Sequence, residues 1–339
     1  GFETLVVSKI ENVGKATVRI AFDVPDELKN DFKFKPGQYL VLSVNVNGKS
    51  HRRSYSICSG PNETLAIAAK KVNDGIVSTW LNETLREGES VFVSPPEGNF
   101  VIPEGCNNVV AIAAGSGITP IMSMIKSKVT SNPIRLYYGN RTEADILFKN
   151  EIDSDSNAST TYFLSGEKHD DYIEGRIGRE SFSTIIKDDL SILKSDAFML
   201  CGPELMIEEI SEQLKEFGIS KEKIHFELFT PPTAKADDKS SDEAGFVGTC
   251  HAKVIIEGEV EEFDMSSKDF ILERAVDEGI DAPYSCKGGV CSTCKAKVTE
   301  GKASMKINYS LTDKDIEEGY ILTCQAKPLT EDITINYDL

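Results

Sequence analysis

Four cysteines toward the C-terminal end constrain the fold of this chain more than any other feature. Cys286, Cys291 and Cys294 are separated by four and then by two residues, and Cys324 follows after a further strand-rich stretch. Thiolates are the ligands that iron–sulfur clusters require, and the C-x4-C-x2-C spacing is typical of [2Fe–2S] sites. The pattern predicts that this segment folds as a loop around such a cluster.

Two glycines inside the motif support the same interpretation. Gly288 and Gly289 allow the loop to fold over the cluster and to direct backbone N–H groups at its sulfides. A structural zinc site is the alternative, but it usually shows two short C-x2-C pairs, and only one is present here. Purely structural thiols are a further alternative, which the crowding of three cysteines into nine residues disfavours.

Composition excludes several classes of function. The formal net charge of −18 argues against a nucleic-acid partner, because a polyanion would be repelled. No apolar run approaches the roughly 20 residues that span a bilayer, and no secretory signal opens the sequence. We therefore expect a cytoplasmic protein without a membrane partner, in which eight cysteines indicate metal or redox chemistry rather than disulfides. The oligomeric state stays open.

Residues 231–243 divide the chain. This segment holds two prolines and no aromatic or branched aliphatic residue, so it cannot bury enough apolar surface to offset the entropy of ordering. We predict a flexible linker at 230–246, followed by a domain at 247–339. That last domain has ten basic and eighteen acidic residues. Such an excess suits docking to a basic redox partner, or it is simply solvated surface.

The part before the linker shows two different patterns of apolar and polar residues. Residues 1–103 alternate apolar and polar positions over short runs separated by turn residues, which predicts an antiparallel β-barrel. Residues 104–229 alternate strands and helices, which predicts a doubly wound parallel sheet. The predicted elements there are strands at 109–113, 134–138, 161–164 and 197–200 and a helix at 119–128. After the linker, strands are predicted at 249–260 and 294–299 and a helix at 267–279.

Four short motifs in the first 229 residues favour a bound phosphate group and dinucleotide. Arg53-Ser54-Tyr55-Ser56 lies on a predicted strand, and Gly75-Ile76-Val77-Ser78 opens a helix whose free N–H groups can receive a phosphate. Gly115-Ser116-Gly117-Ile118-Thr119-Pro120 is a glycine turn between a buried strand and a helix, which admits a closely lying dinucleotide. Cys201-Gly202-Pro203 repeats that arrangement at the same edge of the sheet.

These motifs, in this order, resemble the ferredoxin–NADP reductase superfamily. With a plant-type ferredoxin domain at the C-terminal end, the chain resembles the reductase components of multicomponent oxygenases. The nearest subgroup is that of the phenylacetyl-CoA epoxidase and 3-ketosteroid hydroxylase reductases. The resemblance implies a multidomain protein: an antiparallel β-barrel flavin domain, a doubly wound α/β nucleotide domain and an α+β (β-grasp) ferredoxin domain. It implies FAD, NAD(P)H and a [2Fe–2S] cluster as cofactors, and a terminal oxygenase or other electron-acceptor protein as partner.

The resemblance also implies residue roles. Tyr55 would stack on the isoalloxazine and Ser56 would lie near flavin N5, while Arg53 would neutralise the pyrophosphate. The other implied residues fall into three groups: Gly75 and Ser78 at the flavin phosphates; Gly115, Gly117, Thr119 and Gly202 at the dinucleotide; and Cys201 beside nicotinamide C4, with Glu227 near the flavin. Where the family often has G-P-x-G-x-F, this chain has Pro95-Pro96-Glu97-Gly98-Asn99-Phe100.

Two functions other than an oxygenase reductase stay open at this stage. One is a non-enzymatic redox-sensing module, in which the cluster reports a state. The other is an NADH oxidoreductase whose acceptor is a small molecule or another redox protein, such as a hybrid-cluster protein. The choice between NADH and NADPH is open as well, because Arg141 and Arg176 could meet a 2′-phosphate or could be ordinary surface charges.

Overall fold

The computed structural model describes residues 1–229 and 246–339. Of the linker predicted at 230–246, residues 230–245 lie outside the described residues. The chain divides into two compact units, Gly1–Glu227 and Leu228–Leu339, which are described separately below. Within the described residues, no helix is long and apolar enough to cross a membrane.

An antiparallel barrel forms the first half of the first unit, as its alternating pattern predicted. Its elements are β1 (Glu3–Gly14), β2 (Thr17–Asp23), β3 (Tyr39–Val46), β4 (Lys49–Ser56), β5 (Ala66–Lys70), α1 (Ile76–Glu83) and β6 (Ser90–Val93). The strand order is β4-β3-β6-β1-β2-β5. A bridge between Ile57 and Ile67 joins the two outer strands. Inward residues such as Leu5 and Ile20 are fully buried, so the apolar alternation fills the barrel.

A parallel sheet forms the second half of this unit. Its elements are β7 (Val109–Ala114), α2 (Ile118–Ser127), β8 (Ile134–Asn140), α3 (Lys149–Ser154), β9 (Ala158–Leu164), β10 (Ile173–Glu174), α4 (Arg179–Asp188), β11 (Ala197–Cys201), α5 (Glu204–Glu216) and β12 (Ile224–Glu227). All neighbours in the order β10-β9-β8-β7-β11-β12 pair in parallel. The order reverses between β7 and β11, and ligands of doubly wound sheets bind beyond the strand ends at that point.

Charged side chains join the barrel to the sheet. Arg19 on β2 makes a bidentate contact with Glu151 on α3, with N–O distances of 2.9 and 2.8 Å. Lys126 on α2 approaches the same carboxylate at 3.0 Å. The backbone N–H of Phe148 also donates to the carbonyl of Val13. Paired Arg–carboxylate geometry is directional, so these contacts fix how the barrel faces the sheet.

The second unit is a mixed sheet with a short helix packed on it. Its elements are β13 (Thr249–Ile256), β14 (Glu259–Ser266), α6 (Ile271–Asp277), β15 (Lys295–Glu300), β16 (Ala303–Met305), α7 (Asp313–Glu317), β17 (Tyr320–Leu322), β18 (Ala326–Pro328) and β19 (Asp332–Asn336). The five-stranded sheet has the order β14-β13-β19-β15-β17, and β16 pairs with β18. The central pair β13–β19 is parallel and the flanking pairs are antiparallel, consistent with the β-grasp topology that the resemblance implied.

Two sequence predictions about secondary structure were wrong in detail, and one strand was not predicted. The single strand predicted at 249–260 is two strands, because Glu257 and Gly258 both have positive φ and form a hairpin turn. The helix predicted at 267–279 is confined to α6, since residues before Ile271 form a turn. Strand β12 was missed, although His225 and Glu227 alternate with apolar neighbours there.

Candidate functional site

The Arg53–Ser56 motif lies at the end of β4, as predicted. Ser56 is buried opposite Tyr39 of β3. Tyr55 is partly buried against the barrel core, and this burial raises the pKa of its phenol. Arg53 is exposed, with one guanidinium N–H donating to the carbonyl of Arg52 at 2.7 Å. Within four residues the strand therefore carries a solvent-facing cation, an aromatic ring and a buried hydroxyl, which fits a flavin and its pyrophosphate.

Ser56 and Glu227 meet across the junction of barrel and sheet. The Ser56 hydroxyl donates to Glu227 Oε2 at 3.4 Å, although the two residues are 171 positions apart. Burial of the Glu227 carboxyl raises its pKa to about 8, and the hydrogen bond from Ser56 acts in the opposite direction. The raised pKa favours the protonated carboxyl near neutral pH, beside the Ser56 hydroxyl.

Cys201 completes this group of side chains. It pairs with Glu227 in the parallel register of β11 and β12 and is fully buried. Burial raises the pKa of the Cys201 thiol well above its usual value, and the nearby Glu227 carboxyl raises it further. A thiol that does not ionise is a poor nucleophile. The structure thus favours a positioning role for Cys201.

The glycine turn lies at the switch point of the sheet. Gly115–Gly117 form a single 3-10 turn after β7, and Gly117 passes so close to Cys201 that a Cβ there would stand 2.1 Å from the Cys201 carbonyl oxygen. Gly115 has φ +55, and nothing stands within 4 Å of its missing Cβ. The Thr119 hydroxyl donates to the Ser116 carbonyl at 3.0 Å. The two turns carrying Gly117 and Gly202 therefore meet at one edge and leave Gly115 facing open space.

Two residues at this edge were not found from the sequence. The Tyr138 hydroxyl donates to the Gly115 carbonyl at 3.0 Å and accepts from the Leu147 N–H at 3.2 Å, which anchors the turn. Asn140, at the end of β8, is buried, and both polar atoms of its amide lack a hydrogen-bond partner within the described residues. Buried polar groups are normally paired, so this amide fits an edge that takes a polar ligand.

Gly75 and Ser78 lie where predicted, at the start of α1. The Ser78 hydroxyl accepts from the Val72 N–H at 3.2 Å and donates to the Gly75 carbonyl at 3.3 Å. Gly75 is the N-cap of α1 and provides no side-chain cap. The first N–H groups of this helix are therefore available to an anion, while the Ser78 hydroxyl braces the loop. A direct phosphate contact of Ser78 stays a prediction.

The segment Pro95–Phe100, which departs from the family's G-P-x-G-x-F pattern, still pairs with the barrel. The Tyr39 N–H donates to the Glu97 carbonyl at 2.8 Å, and the Glu97 N–H returns a bond to the Tyr39 carbonyl at 2.9 Å. A Cβ on Gly98 would stand 2.9 Å from the Tyr39 ring. The segment still packs against β3 through its one remaining glycine.

In the second unit the four cysteines form two pairs. Cys286 and Cys291 contact each other, and Cys294 contacts Cys324. Cys291, Cys294 and Cys324 are buried, while Cys286 is half-buried. The pKa of Cys286 is lowered to about 6 by the Cys291 thiol and by backbone N–H groups that point at its sulfur. One of these, the Gly288 N–H, lies 3.3 Å from Cys286 Sγ.

This arrangement fits a two-iron cluster better than a zinc ion. Across the described ranges, no group of three or more His, Cys, Asp or Glu side chains is gathered closely enough to hold a single ion. Structural zinc needs four ligands around one centre, whereas a [2Fe–2S] cluster takes four thiolates shared between two irons. Two thiol pairs meet the second requirement.

Polar side chains that the sequence did not indicate hold the cysteine backbone. The Thr323 N–H and hydroxyl both donate to the Cys294 carbonyl at 3.1 Å, and the Tyr337 hydroxyl donates to Thr323 at 2.8 Å. The Ser310 hydroxyl donates to the Cys291 carbonyl at 2.9 Å. These contacts orient the ligands from outside, as is common around metal centres.

The raised pKa of Glu227 predicts a stability change with pH. An unfolded glutamate ionises near 4.5 and Glu227 near 8, so the unfolded chain binds fewer protons between these values. Stability therefore falls as pH rises across this window, by at most about 1.4 kcal/mol per pH unit and by less where water reaches the carboxyl. Glu227→Gln should flatten this fall in urea unfolding at pH 5, 6, 7 and 8. Glu208→Gln, at an exposed position of α5, is the control; a parallel slope in wild type and Glu227→Gln would contradict the assignment.

Three protein-family models match successive parts of the chain. The model of the oxidoreductase FAD-binding domain matches residues 4–102, that of the oxidoreductase NAD-binding domain matches 111–212, and that of the 2Fe-2S iron-sulfur cluster binding domain matches 254–329.

Relatives are similar over nearly the whole chain. The chain is 34% identical to a component of the 1,2-phenylacetyl-CoA epoxidase of Escherichia coli, over 99% of this chain and 98% of the relative. It is 32% identical to the ferredoxin reductase component of a 3-ketosteroid-9-alpha-monooxygenase of Rhodococcus rhodochrous, over 98% and 96%. Among solved structures, phthalate dioxygenase reductase aligns with a TM-score of 0.62 at 22% identity, covering 99% of this chain and 98% of that one, which shows a common fold.

Proposed function

Because this chain belongs to the family of FAD- and [2Fe–2S]-containing reductase components of oxygenases, we propose that it serves an oxygenase of the phenylacetyl-CoA epoxidase type. The family activity itself is electron transfer from NAD(P)H through FAD to a [2Fe–2S] cluster and on to an oxygenase system. When bound at the Arg53–Ser56 strand, FAD would supply two-electron hydride acceptance, and a [2Fe–2S] cluster held by the four cysteines would supply one-electron transfer.

One observation supports the proposal: a single chain holds both a Ser56–Glu227 hydrogen bond beside the switch point and two thiol pairs suited to two irons. The first would serve two-electron chemistry and the second one-electron chemistry. A redox-sensing module would not need the first, since sensing requires only the cluster.

The residue roles proposed for the first site are those that the resemblance implies, and the contacts are compatible with them. Ser56 would direct its hydroxyl at the flavin ring while Glu227 holds a proton behind it. Tyr55 would stack on the ring, and Arg53 with the α1 N-terminus at Gly75 would receive the pyrophosphate. Ser56 is buried and Tyr55 and Glu227 are partly buried, which limits the access of water to this part of the site.

The remaining roles concern the dinucleotide and the cluster. Gly115 provides room for the dinucleotide backbone, with Gly117, Thr119 and Gly202 shaping the turns around it. Cys201 would flank the nicotinamide as an un-ionised thiol. Cys286, Cys291, Cys294 and Cys324 would hold the cluster. NADH and NADPH are both compatible with these positions.

Similarity supports the epoxidase over other oxygenases as the acceptor. Identity is 34% to the epoxidase component, 32% to the ketosteroid monooxygenase component and 28% to the NADH oxidoreductase HCR of Escherichia coli. The ketosteroid system is therefore the second candidate, since it too aligns along nearly the full chain.

Reconstitution tests the proposed acceptor. Purified chain is mixed with the Escherichia coli epoxidase lacking its own counterpart of this chain, phenylacetyl-CoA and NAD(P)H, and the complete Escherichia coli epoxidase is the positive control. We expect consumption of phenylacetyl-CoA coupled to NAD(P)H oxidation. Turnover only with a ketosteroid oxygenase component and its steroid, alongside a working positive control, would overturn the assignment in favour of the second candidate.

A further inference from the structure

The charge of the second unit is unevenly distributed. Residues 284–311, which carry three of the four cysteines, contain five lysines and one acidic residue, a local net charge of +4. The other residues of 247–339 contain five basic and seventeen acidic residues. A segment of opposite sign at the cluster is unexpected in a chain of net charge −18, and it removes the basis for expecting a basic partner there.

Four of these seventeen acidic side chains lie on the strand at the other edge of the sheet, and four more, at residues 313, 315, 317 and 318, lie at α7 beside β17. Strand β14 carries Glu259, Glu261, Glu262 and Asp264, and it is the edge strand of the order β14-β13-β19-β15-β17. Strand β15 begins directly after Cys294, and β17 ends two residues before Cys324. The acidic edge and the strands that carry the cysteine loops are therefore on opposite sides of the sheet.

Lys287 and Lys306 belong to the rim of the cysteine loops. Lys287 follows Cys286 directly, and its carbonyl accepts a hydrogen bond from the Gln325 side chain at 3.1 Å. The Lys306 N–H donates to the Gln325 carbonyl at 2.9 Å. Gln325 itself follows Cys324, so two lysines from separate loops are tied to one residue beside a cysteine.

Both ammonium groups face solvent. Lys287 and Lys306 are exposed, and neither makes an ion pair with a carboxylate within the described ranges. The Lys287 ammonium lies 4.4 Å from the centre of the Tyr284 ring. Tyr309, whose N–H donates to the Gly289 carbonyl at 2.9 Å, adds an exposed aromatic ring to the same rim.

We propose that this rim, Lys287, Lys306 and Tyr309, is the face through which the cluster delivers electrons, and that it docks an acidic surface of the acceptor protein. This inference rests on the proposed function. Surface cations without a carboxylate partner attract an anionic protein and orient it, while the acidic β14 edge repels it from the wrong side. Aromatic side chains are enriched at protein–protein contacts, which suits the exposed Tyr309 ring to the same patch.

Charge reversal with a matched control tests the proposal in the full-length holoprotein. The test variant is Lys287→Glu/Lys306→Glu. The control is Lys268→Glu/Lys302→Glu, which changes the net charge equally at two other exposed lysines. Lys302 and Lys306 flank strand β16 and are four residues apart, roughly 13 Å at the usual strand rise. The acceptor probes are an acidic haem protein, cytochrome b5, and a basic one, cytochrome c.

The expected result is specific to the sign of the acceptor. At low ionic strength the test variant should reduce cytochrome b5 at least about ten-fold more slowly than wild type and lose its salt dependence, while its reduction of cytochrome c is unchanged or faster. Direct binding of cytochrome b5, measured by titration calorimetry, should weaken by a similar factor. The control variant should behave as wild type in all three measurements.

Three results would overturn the inference. Equal rates and affinities in wild type and test variant would show that the rim docks nothing acidic. Equal losses in test and control variants would show a general effect of net charge. Slower reduction of the cluster by NAD(P)H with no acceptor present would place the lysines in cluster tuning or in transfer within the chain. A wild type that reduces neither cytochrome would instead refute the proposed function.

Discussion

Replacing Cys294 by serine should remove the cluster and lower NAD(P)H-dependent reduction of cytochrome c by at least about 100-fold. A hydroxyl is a harder and far less acidic ligand than a thiol, so one iron loses half of its protein ligands. Reduction of ferricyanide, which can take electrons from the flavin site, should persist. Iron and sulfide determination, visible absorbance and both acceptor rates measure the effect.

Cys250→Ala is the matched control for that variant. Cys250 is fully buried in the same core as Cys294, but it lies outside the two thiol pairs. Its replacement should leave iron content and cytochrome c reduction intact. Normal iron and sulfide in Cys294→Ser would show that the ligand assignment is wrong, and loss of iron in Cys250→Ala would show that any core substitution expels the cluster.

Gly117→Ala should lower the rate of flavin reduction by NAD(P)H by about 100-fold. The added Cβ would stand 2.1 Å from the Cys201 carbonyl oxygen and 2.5 Å from its carbon, so the two turns must separate by roughly 1 Å. A misplacement of that size at a reacting pair can cost about two orders of magnitude. Stopped-flow absorbance at saturating NAD(P)H measures the rate, and the flavin content should be unchanged.

Gly105→Ala separates this contact from a general cost of losing a glycine. Gly105 has positive φ, at +83, but nothing lies within 4 Å of its missing Cβ. Its substitution strains the backbone without a clash, and flavin reduction should match that of wild type. A normal rate in Gly117→Ala would show that the close approach of the two turns does not set the nicotinamide position.

Sequence patterns were sufficient for the elements that repeat a strong period. The buried strand and glycine turn at 109–117 and the alternating barrel strands were found because their side chains follow the geometry of the element. The hairpin at Glu257–Gly258 was missed because a turn needs only two residues of unusual φ within a continuous strand pattern. The helix predicted at 267–279 was longer than α6, because its apolar spacing continues into residues that form turns.

The candidate site likewise combines local motifs, which the sequence shows, with contacts between distant residues, which it does not. The cysteine spacing and the Ser56 motif are local patterns and could be recognised from the chain alone. The contact of Ser56 with Glu227 joins residues 171 positions apart and depends on how the barrel faces the sheet. Tyr138, Asn140 and Thr323 act through contacts that no motif encodes. The lysine rim depends on which loops meet around Gln325, so the net charge of the domain could not indicate it.

The most direct test of the central claim is an anaerobic titration of the purified chain with NAD(P)H, followed by absorbance and by low-temperature EPR. The claim that electrons enter through FAD and reach a cluster on the four cysteines predicts about one FAD, two irons and two sulfides per chain. It also predicts flavin bleaching together with the EPR signal of a reduced [2Fe–2S] cluster. Flavin bleaching in a chain that contains zinc, or in one whose cluster stays EPR-silent, would contradict it.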